Sequence, residues 1–379
     1  MTVTEIQAKS LLRRYKHIDS WFICAMGMNL YRGCTHGCAY CDGRAEQYRL
    51  SGTFGKDIEV KINAPELLKR ALDPRRKRVP LPGGFVTIGG GVTDAWQPID
   101  QKYRLADAVL EILRDAKFPV HALTKSDRVV ESLPLLKEIH EIRRAIVSFS
   151  FSSVDESISR IVEPGLTGPT KRLEAMRAVK AAGLGCGMFL MPVIPGLTDT
   201  PEMLTQSLTA AKSVGADYVV FGGMTLKPGR QHEHFMSIVE THWPKLTPGY
   251  RKVYPGNRWG MALPAYYDKL HRRLAPIARD VGVPLRIPDT LFRDVVSETE
   301  KVIIILEHLD YLTRLTAPRS SLGPAARSIR NSKKEIRELL PLLPSLRGVG
   351  PATLSIVREI LDTGTSSRYR ESLGLRRVT

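Results

Sequence analysis

Short apolar runs rich in β-branched residues alternate along the chain with stretches in which apolar residues recur every three or four positions. A short apolar run predicts a buried strand, and the longer period predicts an amphipathic helix. Most runs start roughly 30 to 40 residues apart, a spacing typical of strand–helix–strand units with parallel strands. Helical patterns cover residues 103–114 and 170–182. The predicted strands cover residues 21–25, 85–89, 119–124, 145–151, 184–192 and 217–221.

Six parallel strands within residues 20–240 predict an α/β fold of the open or partial barrel type. Functional side chains in such barrels lie at the carboxyl ends of the strands, where the loops meet. The residues of interest that follow predicted strands are Gly89, Gly90, Thr93, Asp94, Lys125 and Ser150.

The strand repeat stops after residue 240, so the chain is predicted to have three parts. Residues 1–240 form the barrel. Residues 241–317, which contain many prolines and aromatic residues and one helical pattern at 297–316, are predicted to close over the barrel mouth. Residues 318–379 form a basic, all-helical extension that begins in a linker sequence.

Charge adds a candidate partner. The 379 residues carry a formal net charge of +17, and such an excess favours a polyanion, with nucleic acid first. A basic surface without such a partner is an equally acceptable interpretation. No apolar run is long enough to cross a bilayer, and the amino terminus lacks an apolar signal core. We therefore expect a cytoplasmic protein without a membrane partner.

Three of the five cysteines, Cys34, Cys38 and Cys41, fall within eight residues, with the spacing Cys-x3-Cys-x2-Cys. A structural zinc site would need a fourth ligand, and Cys24 and His36 are the nearest candidates. Thiolates closely spaced on a loop are the usual ligands of an iron–sulfur cluster, and three of them leave one iron open to an exogenous ligand.

With Tyr40 directly before the last cysteine, this motif resembles the radical S-adenosylmethionine (radical SAM) enzymes. The resemblance implies a partial (β/α)6 barrel and a [4Fe–4S] cluster on the three cysteines. It further implies that S-adenosylmethionine chelates the open iron, that Tyr40 lies near its adenine, and that an electron cleaves it to a 5′-deoxyadenosyl radical. The electron would come from a reductant such as flavodoxin or ferredoxin.

Residues 91–100, 121–126, 148–153 and 162–165 resemble the spore photoproduct lyase-like branch of that superfamily. This resemblance places Thr93 and Asp94 near the ribose, and Lys125 and Ser150 at the methionyl carboxylate. Gly89 and Gly90 would let the backbone approach the cofactor closely, although a plain tight turn explains them nearly as well.

One position departs from the lyase pattern. Gly91 stands where the lyase has its hydrogen-donating cysteine, so reversal of the photoproduct is not expected and the substrate radical needs another donor. Cys186 in the fifth predicted strand is a candidate, with ordinary packing as the alternative.

Residues 336–360 contain the sequence Leu-x-Gly-Val-Gly-Pro-x-Thr, which resembles a helix–hairpin–helix DNA-binding motif. The glycines would expose backbone N–H groups to phosphate at a helix start, with Val349 as the buried residue of the hairpin. A helical turn used only for protein contacts is the alternative. The candidate nucleic-acid-binding residues are Lys333, Lys334, Arg347, Gly348, Val349 and Gly350.

The cysteine motif and the basic hairpin together predict a radical SAM enzyme that repairs or modifies nucleic acid, with DNA as the first candidate. Two alternatives stay open. One is the same chemistry on RNA, a protein or a small molecule. The other is a non-catalytic iron–sulfur protein that binds DNA or senses redox state.

Overall fold

The computed structural model describes residues 1–50, 52–77, 79–80, 83–317 and 319–375; Pro318 and residues 376–379 of the predicted tail lie outside this part. The strands are β1 (Thr2–Ile6), β2 (Arg13–Asp19), β3 (Cys24–Met28), β4 (Tyr31–Arg32), β5 (Asp57–Lys61), β6 (Phe85–Ile88), β7 (Val120–Thr124), β8 (Ala145–Phe151), β9 (Gly185–Val193) and β10 (Tyr218–Gly223).

The α-helices are distributed between and after these strands. They are α1 (Ala64–Leu72), α2 (Asp100–Tyr103), α3 (Leu105–Asp115), α4 (Leu133–Ile142), α5 (Glu156–Val162), α6 (Pro169–Ala181), α7 (Pro201–Ser213), α8 (Arg230–His242), α9 (Thr247–Val253), α10 (Pro264–Val281), α11 (Glu298–Arg314), α12 (Leu322–Ser332), α13 (Ile336–Leu339), α14 (Pro351–Thr363) and α15 (Ser367–Ser372).

A seven-stranded sheet with the order β10-β9-β8-β7-β6-β3-β2 forms the centre of the protein. Six of its strands, β3 and β6 to β10, run parallel, as the sequence predicts, and β2 pairs antiparallel with β3 at one edge. A second sheet of three strands has the order β1-β5-β4. The predicted α/β partial barrel with a helical extension is therefore confirmed.

The two faces of the large sheet pack against different helices. Successive residues of a strand point to opposite faces, so Val147 belongs to the outer hydrophobic cluster and Ile146 to the inner one. The outer cluster includes residues of α3, α4, α6 and α7. The inner cluster joins strand residues such as Phe189 to α11 and to the carboxyl-terminal helices.

The segment predicted to close the barrel mouth, residues 241–317, packs against three different parts of the protein. Tyr250 and Tyr254 of its first part pack near the cysteine loop. Helix α10 packs against α7, and its Leu274 belongs to the outer cluster, whereas Tyr267 in its first turn packs against Gly223 at the cavity wall described below. Helix α11, which begins after the N-cap Ser297 as predicted, contributes to the inner cluster. Its apolar face matches the concave side of the sheet.

The carboxyl-terminal helices share their core with the barrel. Helices α12, α14 and α15 all contact α11, and Tyr369 of α15 is fully buried. The Tyr369 hydroxyl lies 2.8 Å from Nδ1 of His308 and donates to the Ile287 carbonyl at 3.0 Å. The tail therefore shares a hydrophobic core with the barrel and is not joined to it by the chain alone. Within the described residues, no helix combines the length and apolarity that crossing a membrane requires.

Candidate active site

A cavity of about 330 Å³ lies at the carboxyl ends of the parallel strands, in the range of pockets that bind small molecules. Residues at the ends of six strands, β4 and β6 to β10, converge there, which is the usual location of an active site in barrels of this type. Of the residues predicted from the sequence, those that line it are Cys34, Cys38, Tyr40, Cys41, Gly90, Thr93, Asp94, Lys125 and Ser150.

The three cysteines lie on the loop that follows β4. The Arg44 side chain holds this loop in shape, because Nε donates to the Cys38 carbonyl at 3.0 Å and Nη2 to the Gly37 carbonyl at 2.5 Å. The Cys41 sulfur accepts from the Gly43 N–H at 3.4 Å. One short loop therefore presents three sulfur ligands to one cavity.

Cys34 and Cys38 are buried and Cys41 is partly buried, and their surroundings favour the protonated thiols. Burial raises the pKa of the Cys38 thiol to about 12 and that of Cys41 to about 11, and it raises the pKa of Cys34 well above its ordinary value. A bound metal therefore has to displace these protons. No three or more His, Cys, Asp and Glu side chains in the described residues are grouped to hold a single ion. A cluster needs a different arrangement, with the thiolates on separate iron atoms.

Lys125 and Ser150, which end neighbouring strands β7 and β8, meet at the cavity wall. The Lys125 Nζ donates to the Ser150 Oγ at 2.8 Å and to the Met191 carbonyl at 3.3 Å. The ammonium also lies 5.4 Å from the centre of the Tyr40 ring. A cation and a hydroxyl side by side on a cavity wall can bind a carboxylate of a small ligand.

Thr93 and Asp94 line the cavity, and both also hold protein loops together. The Thr93 hydroxyl donates to the Gly33 carbonyl at 2.8 Å. The Asp94 carboxylate accepts from the Thr124 hydroxyl at 2.8 Å and from the Lys125 N–H at 2.7 Å. These contacts join the cysteine loop, the loop after β6 and the end of β7.

Among the residues predicted to bind the cofactors or to donate hydrogen, Gly89 and Cys186 do not line the cavity. Gly89 packs against the Leu123 backbone just behind the lining. Cys186 belongs to the outer hydrophobic cluster, since it alternates along β9 with the inward-facing Phe189, and burial raises its pKa above the ordinary value. Its position gives no support to a hydrogen-donor role. Gly91 does line the cavity, with open space where a side chain would begin.

A buried carboxylate behind the wall was not among the predicted residues. Glu163, directly after α5, accepts from Nη2 of Arg172 at 2.6 Å and from Nζ of Lys125 at 3.4 Å, and it also accepts from the Tyr40 hydroxyl. Burial opposes its ionisation, but the Arg172 and Lys125 cations outweigh that effect and hold the pKa of Glu163 well below its ordinary value. The sequence feature that could have identified Glu163 is its position in the stretch 162–165, which resembles the lyase-like branch.

A second set of polar side chains holds the opposite side of the cysteine loop in place. Asp42 accepts from the Thr225 hydroxyl and from the Lys227 ammonium. Gln231 is fully buried, and its Nε2 donates to the Tyr40 carbonyl at 2.8 Å and to the Thr225 carbonyl at 2.9 Å. These residues tie the loop to the end of β10, which the spacing of the sequence does not reveal.

The candidate nucleic-acid-binding residues lie on the tail, outside the cavity lining. Val349 is buried between α13 and α14, whereas Lys333, Lys334 and Arg347 are exposed. Gly350 is the N-cap of α14, and the Arg347 carbonyl accepts from the Ser328 hydroxyl at 2.9 Å. The turn thus has a buried apolar residue and exposed cations, as its sequence suggests.

Residues 28–208, which supply the three cysteines and most of the cavity wall, match the Radical SAM superfamily. The chain belongs to this superfamily and is an enzyme of the radical SAM class. Membership of the superfamily implies a [4Fe–4S] cluster and S-adenosylmethionine as cofactors.

The relatives found by sequence are themselves uncharacterised. The chain is 32% identical over 257 residues to the uncharacterised protein Rv2578c of Mycobacterium tuberculosis, a match that covers 66% of this chain and 72% of the relative. It is 26% identical over 220 residues to the uncharacterised protein MJ0683 of Methanocaldococcus jannaschii, covering 58% and 76% of the two chains.

Among solved structures, spore photoproduct lyase complexed with dinucleoside spore photoproduct aligns with a TM-score of 0.54 at 18% identity, covering 74% of this chain and 79% of the lyase. A lyase mutant with bound AdoMet and the same dinucleoside aligns with a TM-score of 0.54 at 17% identity, with the same coverage. At this identity the likeness shows a shared fold.

Proposed function

We propose that Cys34, Cys38 and Cys41 bind the [4Fe–4S] cluster and that S-adenosylmethionine occupies the adjoining cavity. The observation that carries this assignment is the meeting of three cysteine thiols with the Lys125–Ser150 pair in one cavity. Once bound and reduced, the cluster supplies the electron that cleaves S-adenosylmethionine to methionine and a 5′-deoxyadenosyl radical.

The side chains around the cysteines then have separate tasks. Lys125 and Ser150 bind the methionyl carboxylate, with the Lys125 ammonium as its counter-ion. Tyr40 packs against the adenine, while Thr93 and Asp94 border the ribose. Glu163 and Arg172 keep Tyr40 and Lys125 in place from behind the wall. The buried lining excludes water and oxidants from the reactive carbon.

The proposed substrate is nucleic acid, with DNA first, and the proposed outcome is repair or modification of a nucleotide. Three observations support this choice: the net charge of +17, the exposed cations beside a tight turn at the start of α14, and the shared fold with a lyase that binds a dinucleoside. Sequence-independent attraction to phosphate would bring the polymer to the barrel. A reductant such as flavodoxin or ferredoxin would deliver the electron.

The chemistry is tested by anaerobic reconstitution with iron and sulfide, followed by a measurement of 5′-deoxyadenosine after dithionite and S-adenosylmethionine are added. Alanine at Cys34, Cys38 or Cys41 is expected to abolish both the cluster absorbance and the product. Cys24→Ala is the matched control, because Cys24 is a buried cysteine that does not line the cavity. An intact cluster without any 5′-deoxyadenosine would contradict the proposal.

The substrate class is tested by isotope transfer. Single-stranded and duplex DNA with deuterium in the sugar and base are incubated with the reconstituted enzyme, and the 5′-deoxyadenosine is examined by mass spectrometry. Deuterium in the cleaved cofactor supports DNA as the substrate. Its absence with DNA, together with transfer from deuterated RNA, protein or metabolites, would move the substrate to that class.

A further inference from the structure

Residues 255–263, the loop between α9 and α10, expose a small apolar patch. Trp259 is 57% exposed, Met261 43% and Leu263 42%, and Arg258 lies over the Trp259 ring at 4.6 Å from its centre. Single exposed apolar residues are common on proteins, but three within five residues of one loop favour an interaction site.

The loop is held rigid by its own hydrogen bonds. The Asn257 Oδ1 accepts from the N–H groups of Trp259 and Met261, both at 3.1 Å, and its Nδ2 donates to the Met261 carbonyl at 2.7 Å. Gly260 has a positive φ of 66°, and a Cβ there would lie 2.4 Å from the Lys227 nitrogen. The backbone at Gly260 is therefore pressed against the chain beside it, and Trp259 is displayed on a fixed support.

This support borders the active site. The Gly260 carbonyl accepts from the Leu226 N–H at 2.7 Å. Met224 and Thr225, the two residues before Leu226, line the cavity. The Tyr254 hydroxyl also donates to the Met224 carbonyl at 3.0 Å. The backbone that carries the exposed patch thus contacts the segment that directly follows the cavity wall supplied by β10.

The segment that carries the patch is basic. Residues 241–267 contain no Asp or Glu, and their cations are Lys245, Arg251, Lys252 and Arg258. All four side chains are exposed. The charge is complementary to a polyanion that approaches the cavity from this side.

We propose that residues 255–263 are a base-stacking surface, in which Trp259 stacks on a base next to the nucleotide that enters the cavity and Arg258 contacts the adjoining phosphate. The inference rests on the proposed nucleic-acid substrate. A radical formed inside a cavity reaches only a nucleotide that has left its stack, and an exposed aromatic ring on a loop that contacts the chain next to the cavity wall would replace the lost stacking partner.

The test measures binding of the full-length, reconstituted enzyme to a single-stranded DNA that carries one 2-aminopurine, whose fluorescence is quenched when it stacks. Trp259→Ala is expected to weaken binding between about fivefold and a hundredfold, the effect of one lost base–aromatic stack, and to remove the quenching. Trp259→Phe is expected to retain most of both. Ile142→Ala is the matched control, because Ile142 is 46% exposed but lies on α4, outside the cavity lining.

The outcomes separate this surface from the proposed function. If the wild type binds DNA and Trp259→Ala binds equally well, the stacking surface is refuted while the substrate proposal stands. If binding depends on Trp259 but no 5′-deoxyadenosine is formed, the surface stands and the proposed chemistry is refuted. If the wild type binds no nucleic acid, the stacking surface and the proposed nucleic-acid substrate are both refuted. If, in that case, the wild type self-associates and Trp259→Ala does not, the patch is assigned to a protein partner.

Discussion

Glu163 connects the cofactor-facing residues to the interior of the protein. Its carboxylate is fully buried and ionised, and such a charge is costly unless several donors surround it. Removing one partner of a buried ion pair costs more than the pair contributes, because the other charge is left uncompensated. The donors that satisfy it are Tyr40, Lys125, Ser152, Ser159 and Arg172.

Glu163→Gln is therefore expected to lower the free energy of unfolding by about 3–5 kcal/mol, because Arg172 keeps its charge in a buried site without a counter-ion. Denaturant unfolding of wild type and variant measures this difference. Glu163→Gln combined with Arg172→Met removes both charges and is expected to recover part of the loss. If Glu163→Gln alone were as stable as the wild type, the Glu163–Arg172 ion pair would not stabilise the cavity wall.

Lys125→Met tests whether this residue of the cavity wall binds the cofactor. The variant is expected to bind S-adenosylmethionine at least about tenfold more weakly, because a charge-assisted hydrogen bond is worth about 1.5–3 kcal/mol. Equilibrium dialysis of the reconstituted protein measures the affinity, and its iron content should match the wild type. Lys180→Met, which removes a lysine paired with Asp217 away from the cavity, is the control. Unchanged affinity in Lys125→Met would remove this lysine from the binding site.

At the scale of elements, two glycines in one turn before α14 have different reasons to be glycine. Gly348 has a φ of +87°, and a Cβ on it would lie 2.6 Å from the Ala325 nitrogen at the start of α12. Gly350 has extended backbone, with φ at −96°, and a Cβ on it would meet nothing within 4 Å. Packing therefore requires Gly348, whereas Gly350 keeps open space in front of the first N–H groups of a helix.

The two alanine variants should separate folding from binding. Gly348→Ala is expected to lower the thermal midpoint, because strain and a backbone clash act together. Gly350→Ala is expected to keep the wild-type midpoint but to weaken DNA binding, because its methyl group occupies the space where phosphate would approach. Anisotropy titrations at several salt concentrations measure that binding. Equal DNA affinity of wild type and Gly350→Ala would argue that the turn serves protein packing only.

At the scale of the whole molecule, the concave side of the sheet is filled by α11 and the tail, and two neutral histidines lie inside. His121 contacts the Phe22 carbonyl at 3.0 Å and the Ser148 hydroxyl at 2.7 Å. His308 contacts the Ser20 carbonyl at 2.6 Å. Burial lowers the pKa of His121 to about 4, and burial together with Arg286 lowers that of His308 to about 3.

These histidines predict acid sensitivity. As pH falls below about 6.5, the unfolded chain takes up protons that the folded protein excludes, so stability is lost from there down to about pH 4 for His121. Between pH 7 and pH 5 each histidine should remove about 2 kcal/mol. Unfolding free energies at several pH values measure this loss, and His121→Gln should make it shallower. An unchanged slope would mean that His121 binds protons equally in the folded and unfolded states, so that folding does not lower its pKa.

Contiguous residues of the chain were enough to predict part of the protein. The alternation of apolar runs and helical patterns indicated six parallel strands, because the side-chain period of a strand or helix is written in neighbouring residues. The spacing of Cys34, Cys38 and Cys41 indicated the family, because one short loop carries all three ligands. Lys125 and Ser150 lie at strand ends, which meet at one edge of a parallel sheet, and the resemblance to the lyase-like branch suggested their role at the methionyl carboxylate.

Tertiary packing alone decided the rest. Glu163 and Arg172 meet Tyr40 and Lys125 only when four separate elements come together, and no local spacing encodes that meeting. Cys186 faces away from the cavity because strand alternation fixes its side, and the sequence did not show which face of β9 is concave. The place of α10 outside the sheet and α11 inside it likewise depends on which apolar surfaces remain uncovered once the barrel has formed.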